Sequence, residues 1–186
     1  YIYHNIVEIK DYPELAIFIL ISSTDEYHLP KYDGINLLID TDHDFILPTA
    51  TMLRSLRINL PKQEVIIVYL AYYKELELFH DEITLLKKQL NIDDQIVFLE
   101  CNHCDPRPKG DRWSEQVLLK ILSMYKLPTF VGRILHIDGD AIVNGNILPF
   151  YNVDLKGNVI AGSGDLVTKM RPCAGIMLFD VKKFIS

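Results

Sequence analysis

Apolar residues in this chain fall into two rhythms. Short apolar-rich runs at Ile35 to Ile39, Glu64 to Tyr69, Gln95 to Leu99 and Ile134 to Ile137 have the length and β-branched content of buried strands. Between them, apolar residues recur at three-and-four spacing. Met52, Leu53 and Leu56 follow Pro48; Leu76, Phe79, Ile83, Leu86 and Leu90 form a second stripe; Trp113, Val117, Leu118, Ile121, Leu122 and Tyr125 form a third. Each stripe predicts a helix that lays one face on a core. Pro48 suits a first helical turn, and Pro128 stops the third helix. Further strands are expected at Asn158 to Ala161 and Gly175 to Asp180, and Leu15 to Ile21 reads as an edge strand or part of a preceding segment. Strands alternating with helices predict an α/β sheet with covering helices.

In such sheets ligands gather beyond the carboxyl ends of strands. Two acidic clusters occupy positions of that kind: Asp40, Asp42 and Asp44 after the first run, and Asp138 with Asp140 after Ile134 to Ile137. Side chains alternate along a strand, so Asp138 and Asp140 can point the same way where the strand gives out, with Gly139 letting the backbone bend and a ligand approach. Two close carboxylates repel unless a cation compensates, which favours a hard divalent ion such as Mn²⁺ or Mg²⁺. A solvated turn is the competing reading of a lone D-x-D. His136 reads as a residue packed in the sheet. Whether the two clusters share one pocket depends on strand order, which the chain does not reveal.

Composition narrows the classes. With 186 residues and 49% hydrophobic content, the chain is long and apolar enough for one domain with a substantial core. A net charge of −6 argues against nucleic-acid binding as the main activity. No apolar run has the length of a membrane span. Cys101, Cys104 and Cys173 are an odd set and read as reduced thiols; Cys101-Asn102-His103-Cys104 has no second C-x-x-C with which to build a zinc site.

The order of these motifs resembles glycosyltransferase family 8. Leu135-His136-Ile137-Asp138-Gly139-Asp140-Ala141-Ile142-Val143 is similar to the family's L-Y-L-D-x-D-x-x-V. Leu38-Ile39-Asp40-Thr41-Asp42-His43-Asp44-Phe45 precedes Arg54-Ser55-Leu56, as the family's nucleoside-binding strand and loop precede a K/S-S-L helix. Ser114 through Lys120 resembles its S-x-x-x-x-x-R helix, and Cys173-Ala174-Gly175-Ile176-Met177-Leu178 resembles N-A-G-V-x-L. The resemblance implies a GT-A fold, Rossmann-like with a mixed, mostly parallel sheet, over residues 35–186, with 1–34 an N-terminal extension of unassigned role. It implies a metal-dependent, retaining hexosyltransferase that uses a UDP-sugar donor and a sugar or glycan acceptor, cytoplasmic or at the membrane surface. In it Asp138 and Asp140 would hold Mn²⁺ or Mg²⁺ on the donor diphosphate, with Asp138 and Gly139 also near the nucleotide. Thr41, Asp42 and Asp44 would line the nucleoside side, and Asp165 and Lys120 would face the transferred sugar.

Several positions depart from that pattern. Lys120 replaces an arginine, Cys173 an asparagine and Phe45 a common tyrosine, and the interval from Asp165 to Arg171 is short. The chain ends at Ser186, before the family's metal-binding histidine, so Asp138 and Asp140 would supply only part of the metal shell. Asp42 and Asp44 have a competing reading as helix caps, Lys120 as a solvated helix lysine and Asp165 as a turn residue. Two other functions compete with transfer: a noncatalytic nucleotide-sugar-binding domain, and a phosphohydrolase of the haloacid-dehalogenase type that uses D-x-D for its nucleophile and acid/base.

Overall fold

The computed structural model describes residues 6–8, 34–73, 80–102, 116–164 and 172–186. Its strands are β1 (Ile6–Glu8), β2 (Ile35–Asp40), β3 (Ile66–Tyr73), β4 (Gln95–Cys101), β5 (Arg133–Ile137), β6 (Ile160–Gly164) and β7 (Pro172–Asp180). They form one sheet in the order β1-β6-β7-β5-β2-β3-β4. All neighbours are parallel except β7, which runs antiparallel between β5 and β6. The expected mixed, mostly parallel sheet is therefore present. Among the described residues of the first 34, Ile6–Glu8 forms an edge strand paired with β6; Leu15 to Ile21 lies outside the described residues.

Unbroken apolar runs make the central strands because these are covered on both faces. Leu37, Leu38 and Ile39 of β2 and every residue of β3 except Tyr72 are buried. The helices are α1 (Ile46–Asn59), α2 (His80–Lys87), α3 (Gln116–Met124) and the short α4 (Leu148–Tyr151) and α5 (Val181–Ile185). α1 starts before Pro48, whose missing N–H is harmless in a first turn. Its Met52, Leu53 and Leu56 are fully buried, as expected.

The third helix differs from its predicted face. Among its described side chains Leu119, Lys120, Ser123 and Met124 are buried, while Ile121 and Tyr125 are exposed; Trp113 and the Val117 side chain lie outside the described residues. Adjacent apolar pairs, Leu118-Leu119 and Ile121-Leu122, offer two faces about 100° apart, and periodicity alone does not choose between them. The rotation carries Lys120 inward. In α2, Leu86 is fully buried and Ile83 partly so; Leu76 and Phe79 lie outside the described residues. No described helix is long and apolar enough to cross a membrane.

Candidate functional site

β2 and β5 lie side by side and parallel, with Leu37 opposite Leu135 and Leu38 opposite His136. The carboxyl ends of the two strands are thus neighbours, and the acidic clusters that follow them meet. Asp40 stands two residues beyond Leu38 and Asp138 two beyond His136, so the period of a strand brings them to one face. His136 is fully buried, and its Nε2 lies 2.9 Å from Asp40 Oδ1 and 3.9 Å from Asp138 Oδ1. Lys120 reaches in from α3, placing Nζ 3.2 Å from Asp138 Oδ1 and 3.2 Å from the Ala174 carbonyl oxygen. The Asp138 N–H donates to the Gly175 carbonyl at 2.9 Å, which ties the end of β5 to β7.

Burial holds the His136 imidazole below its ordinary pKa, and the nearby Lys120 ammonium adds to this; the hydrogen bond and charge of Asp40 only partly oppose them. The ring is therefore neutral near pH 7. A carboxylate oxygen only accepts, so with no cation in place Nε2 carries the proton and Nδ1 the lone pair; Nε2 would become a ligand atom only in the other tautomer, with its proton on Nδ1. Nδ1 has no hydrogen-bond partner among the described residues. Asp40, His136 and Asp138 each offer a ligand atom, and these atoms lie within 4.8 Å of one another, close enough for one cation. Two carboxylates and an imidazole suit Mn²⁺ well, and Mg²⁺ through the oxygens.

The β2–α1 loop forms the other side. Thr41 is buried and donates its N–H to the Ala71 carbonyl at 3.0 Å. Asp42 Oδ1 accepts from the Asp44 and Phe45 amides at 3.0 and 3.1 Å, capping a single 3-10 turn, His43–Phe45. Asp42 thus has the capping role weighed from sequence. His43 Nδ1 sits 2.8 Å from Glu82 Oε1, fastening this turn to α2, while Asp44 is exposed.

Gly139 has a more specific duty than a flexible bend. Its backbone presses on α1, where a Cβ would stand 2.5 Å from Thr49 Oγ1 and 3.7 Å from Thr49 Cβ. Thr49 is fully buried, and its hydroxyl has no partner among the described residues. Gly139→Ala is expected to cost about 1–3 kcal/mol by overpacking. Adding Thr49→Ala should recover most of it, because only the hydroxyl is too close. Urea melts of the two single variants and the double variant would check this, and equal stability of Gly139→Ala and the double variant would refute it.

Sequence reasoning placed Lys120, Thr41, Asp42, Asp138 and Gly139 around these strand ends, and the fold brings Lys120 onto Asp138 directly. Asp140 is exposed in the turn after Asp138 and is not a member of the Asp40, His136, Asp138 group. Asp165 lies outside the described residues, as does the Cys173 side chain. Asp40 and His136 were not singled out as ligands. Their phase with Leu38 and Asp138 was visible, but only the β2–β5 pairing makes it meaningful. Cys101 is buried, and burial pushes its thiol up to about 11, so it is no ready thiolate ligand.

Among curated proteins, no sequence matches this chain significantly. Solved structures resemble it in fold. The apo structure of WbbM, a bifunctional glycosyltransferase, superposes with a TM-score of 0.64 at 15% identity, over 84% of this chain and 33% of that one. The galactosyltransferase LgtC, in complex with donor and acceptor sugar analogues, gives 0.64 at 16% identity, over 81% of this chain and 59% of that one. Mouse xyloside xylosyltransferase 1 in its apo form gives 0.56 at 14% identity, over 82% and 69% respectively. The chain thus spans a third of WbbM and about six-tenths of LgtC. At these identities the likeness establishes the architecture, a GT-A fold. The family model for glycosyl transferase family 8 matches residues 36–184, which include β3 to β7 and all of β2 but Ile35. The chain belongs to glycosyltransferase family 8.

Proposed function

We propose that this chain forms the donor-binding part of a metal-dependent, retaining hexosyltransferase that moves a hexose from a UDP-sugar to a sugar or glycan acceptor. The observation that carries this reading is the adjacency of β2 and β5, which sets the Thr41–Asp44 loop beside the Asp138 turn at the carboxyl ends of these central strands. Thr41, Asp42 and Asp44 bind the nucleoside side. Asp138 and Asp140 hold Mn²⁺ or Mg²⁺, with Asp40 and His136 beneath Asp138 as further donors. A divalent cation held there neutralises charge on the departing nucleoside diphosphate. Lys120, fixed by Asp138 and the Ala174 carbonyl, directs its ammonium toward the donor sugar and phosphates; Asp165 faces the transferred sugar by resemblance alone.

Titration of the chain with UDP in Mn²⁺ and in EDTA tests the metal site, and a panel of UDP-hexoses assayed for UDP release and sugar transfer tests the chemistry. The expected result is tighter UDP binding with Mn²⁺. Equal affinity in both conditions would overturn the metal-dependent reading. One observation favours a noncatalytic nucleotide-sugar-binding role as the second reading: Lys120 already sits on the Asp138 carboxylate, where an ammonium competes with a divalent ion. Metal-independent UDP binding with no turnover of any donor would select it. The phosphohydrolase alternative draws no support from the family match.

A further inference from the structure

Asp140 is exposed, and the stretch that carries it, residues 138–147, has no helix or strand of its own. A segment without secondary structure must satisfy its buried backbone groups elsewhere. The critical residue is Val143, only 1% exposed. Both polar groups of Val143 are met by side chains of α1. The Val143 N–H donates to Ser55 Oγ at 2.8 Å, and the Val143 carbonyl accepts from Asn59 Nδ2 at 3.0 Å.

The two α1 side chains are themselves aimed. Ser55 Oγ donates its proton to the Met52 carbonyl at 2.7 Å, which leaves a lone pair directed at the Val143 amide. Asn59 Nδ2 also donates to the Ser55 carbonyl at 2.9 Å, so both amide protons are engaged. Ser55 and Asn59 are four residues apart and therefore share a helix face. Thr49, against which Gly139 packs, lies on the adjoining part of that face, with buried Met52 and Leu56 between. The turn is thus held at Asp138 by the Gly175 carbonyl, at Gly139 by Thr49, and at Val143 by Ser55 and Asn59.

We propose that Ser55 and Asn59 are positioning residues for the donor-diphosphate site. By clamping the Val143 peptide they fix the path of the backbone from Asp138 to Val143 and so aim the exposed Asp140 carboxylate at the cation shared with Asp138. Neither residue touches substrate. This rests on the reading of Asp138 and Asp140 as the metal-holding pair. It adds that the metal shell is prepared by a helix preceding it by some eighty residues of chain, through hydrogen bonds to backbone rather than to the ligands themselves.

The test uses UDP titrations in Mn²⁺ and in EDTA, with amide hydrogen exchange at Val143, on wild type, Ser55→Ala, Ser55→Thr and Asn59→Ala. Ser55→Ala is expected to raise Val143 exchange and to weaken UDP binding in Mn²⁺ about tenfold, the scale on which lost outer partners weaken metal sites. UDP affinity in EDTA should stay as in wild type. Ser55→Thr, which keeps the hydroxyl, should restore both readings. A purely structural role would weaken binding equally in Mn²⁺ and EDTA, or lower only the melting temperature, and either result overturns the proposal. Faster Val143 exchange with unchanged Mn²⁺-dependent affinity does the same. Should Ser55→Ala fail to fold, the same readings on Asn59→Ala decide. Wild-type binding that ignores Mn²⁺ would instead sink the metal-site reading itself, so the two failures are distinguishable.

Discussion

Asp140→Asn is expected to remove the Mn²⁺-dependent part of UDP binding and leave the melting temperature where it stands. The carboxylate is exposed on a turn, so its loss breaks no buried contact and should change stability by less than about 0.5 kcal/mol. Its loss from a cation bound to diphosphate removes a charged ligand, and a weakening of about a hundredfold, roughly 3 kcal/mol, is the scale expected. Asp138→Asn should cost the same in binding but also lower stability. The Lys120 side chain is only 9% exposed, and without the Asp138 charge its ammonium keeps only neutral oxygens, of residue 138 and of the Ala174 carbonyl, as partners among the described residues. That leaves a nearly buried charge uncompensated, at a cost of about 1–3 kcal/mol. Adding Lys120→Met should return stability without returning Mn²⁺ dependence. Calorimetric titration beside thermal melts separates the two effects; Mn²⁺ dependence that survives Asp140→Asn would refute the role given to the D-x-D pair.

Much of this arrangement was legible before any coordinates. The buried strands were readable because a parallel sheet covered on both faces needs apolar runs, and β2, β3 and β5 have them. Asp138 and Asp140 stood out as two carboxylates directly after such a run, a weak signal on its own, for which a solvated turn competes, and one that the family resemblance strengthened. Two things were out of reach for a physical reason. The adjacency of β2 and β5 is a long-range pairing, with no local trace in Leu38 or His136, and without it Asp40 is one acidic residue among several. The clamp on Val143 was equally silent. Ser55 and Asn59 look like ordinary polar positions on α1, and their partner is a backbone group whose burial depends on the whole fold. Where a helix carries two overlapping apolar stripes, as α3 does, the packing partner chooses the face, and here that choice turns Lys120 inward to Asp138.

The opposite end of the sheet carries the largest stability prediction. Arg57 of α1 and Asp94, just before β4, are an ion pair with side chains 5% and 1% exposed. Arg57 Nη1 donates to the Glu64 carbonyl at 2.8 Å and to Asp94 Oδ1 at 3.3 Å, and Nη2 donates to the Pro61 carbonyl at 2.6 Å. Asp94 accepts the Ile66 amide at 2.8 Å and the Asn91 amide at 2.7 Å. The pair thus closes the turn after α1, the start of β3 and the start of β4 together. Asp94→Ala orphans two amides and leaves a guanidinium buried without its counter-charge, so a loss of about 3–5 kcal/mol is expected. For a chain of this size that lowers the melting temperature on the order of 10 °C. Arg57→Met should cost less, since the Asp94 carboxylate keeps both amide donors. Adding Asp94→Asn to Arg57→Met should destabilise further, because the Ile66 amide uses Oδ1 and the Asn91 amide Oδ2, and an asparagine turns an NH2 group toward one of these two donors. Because these residues sit at the amino ends of β3 and β4, the Asp94→Ala protein that remains folded should bind UDP in Mn²⁺ as wild type does. Asp94→Ala melting within a degree or two of wild type would show that water, rather than this pair, satisfies the Ile66 and Asn91 amides.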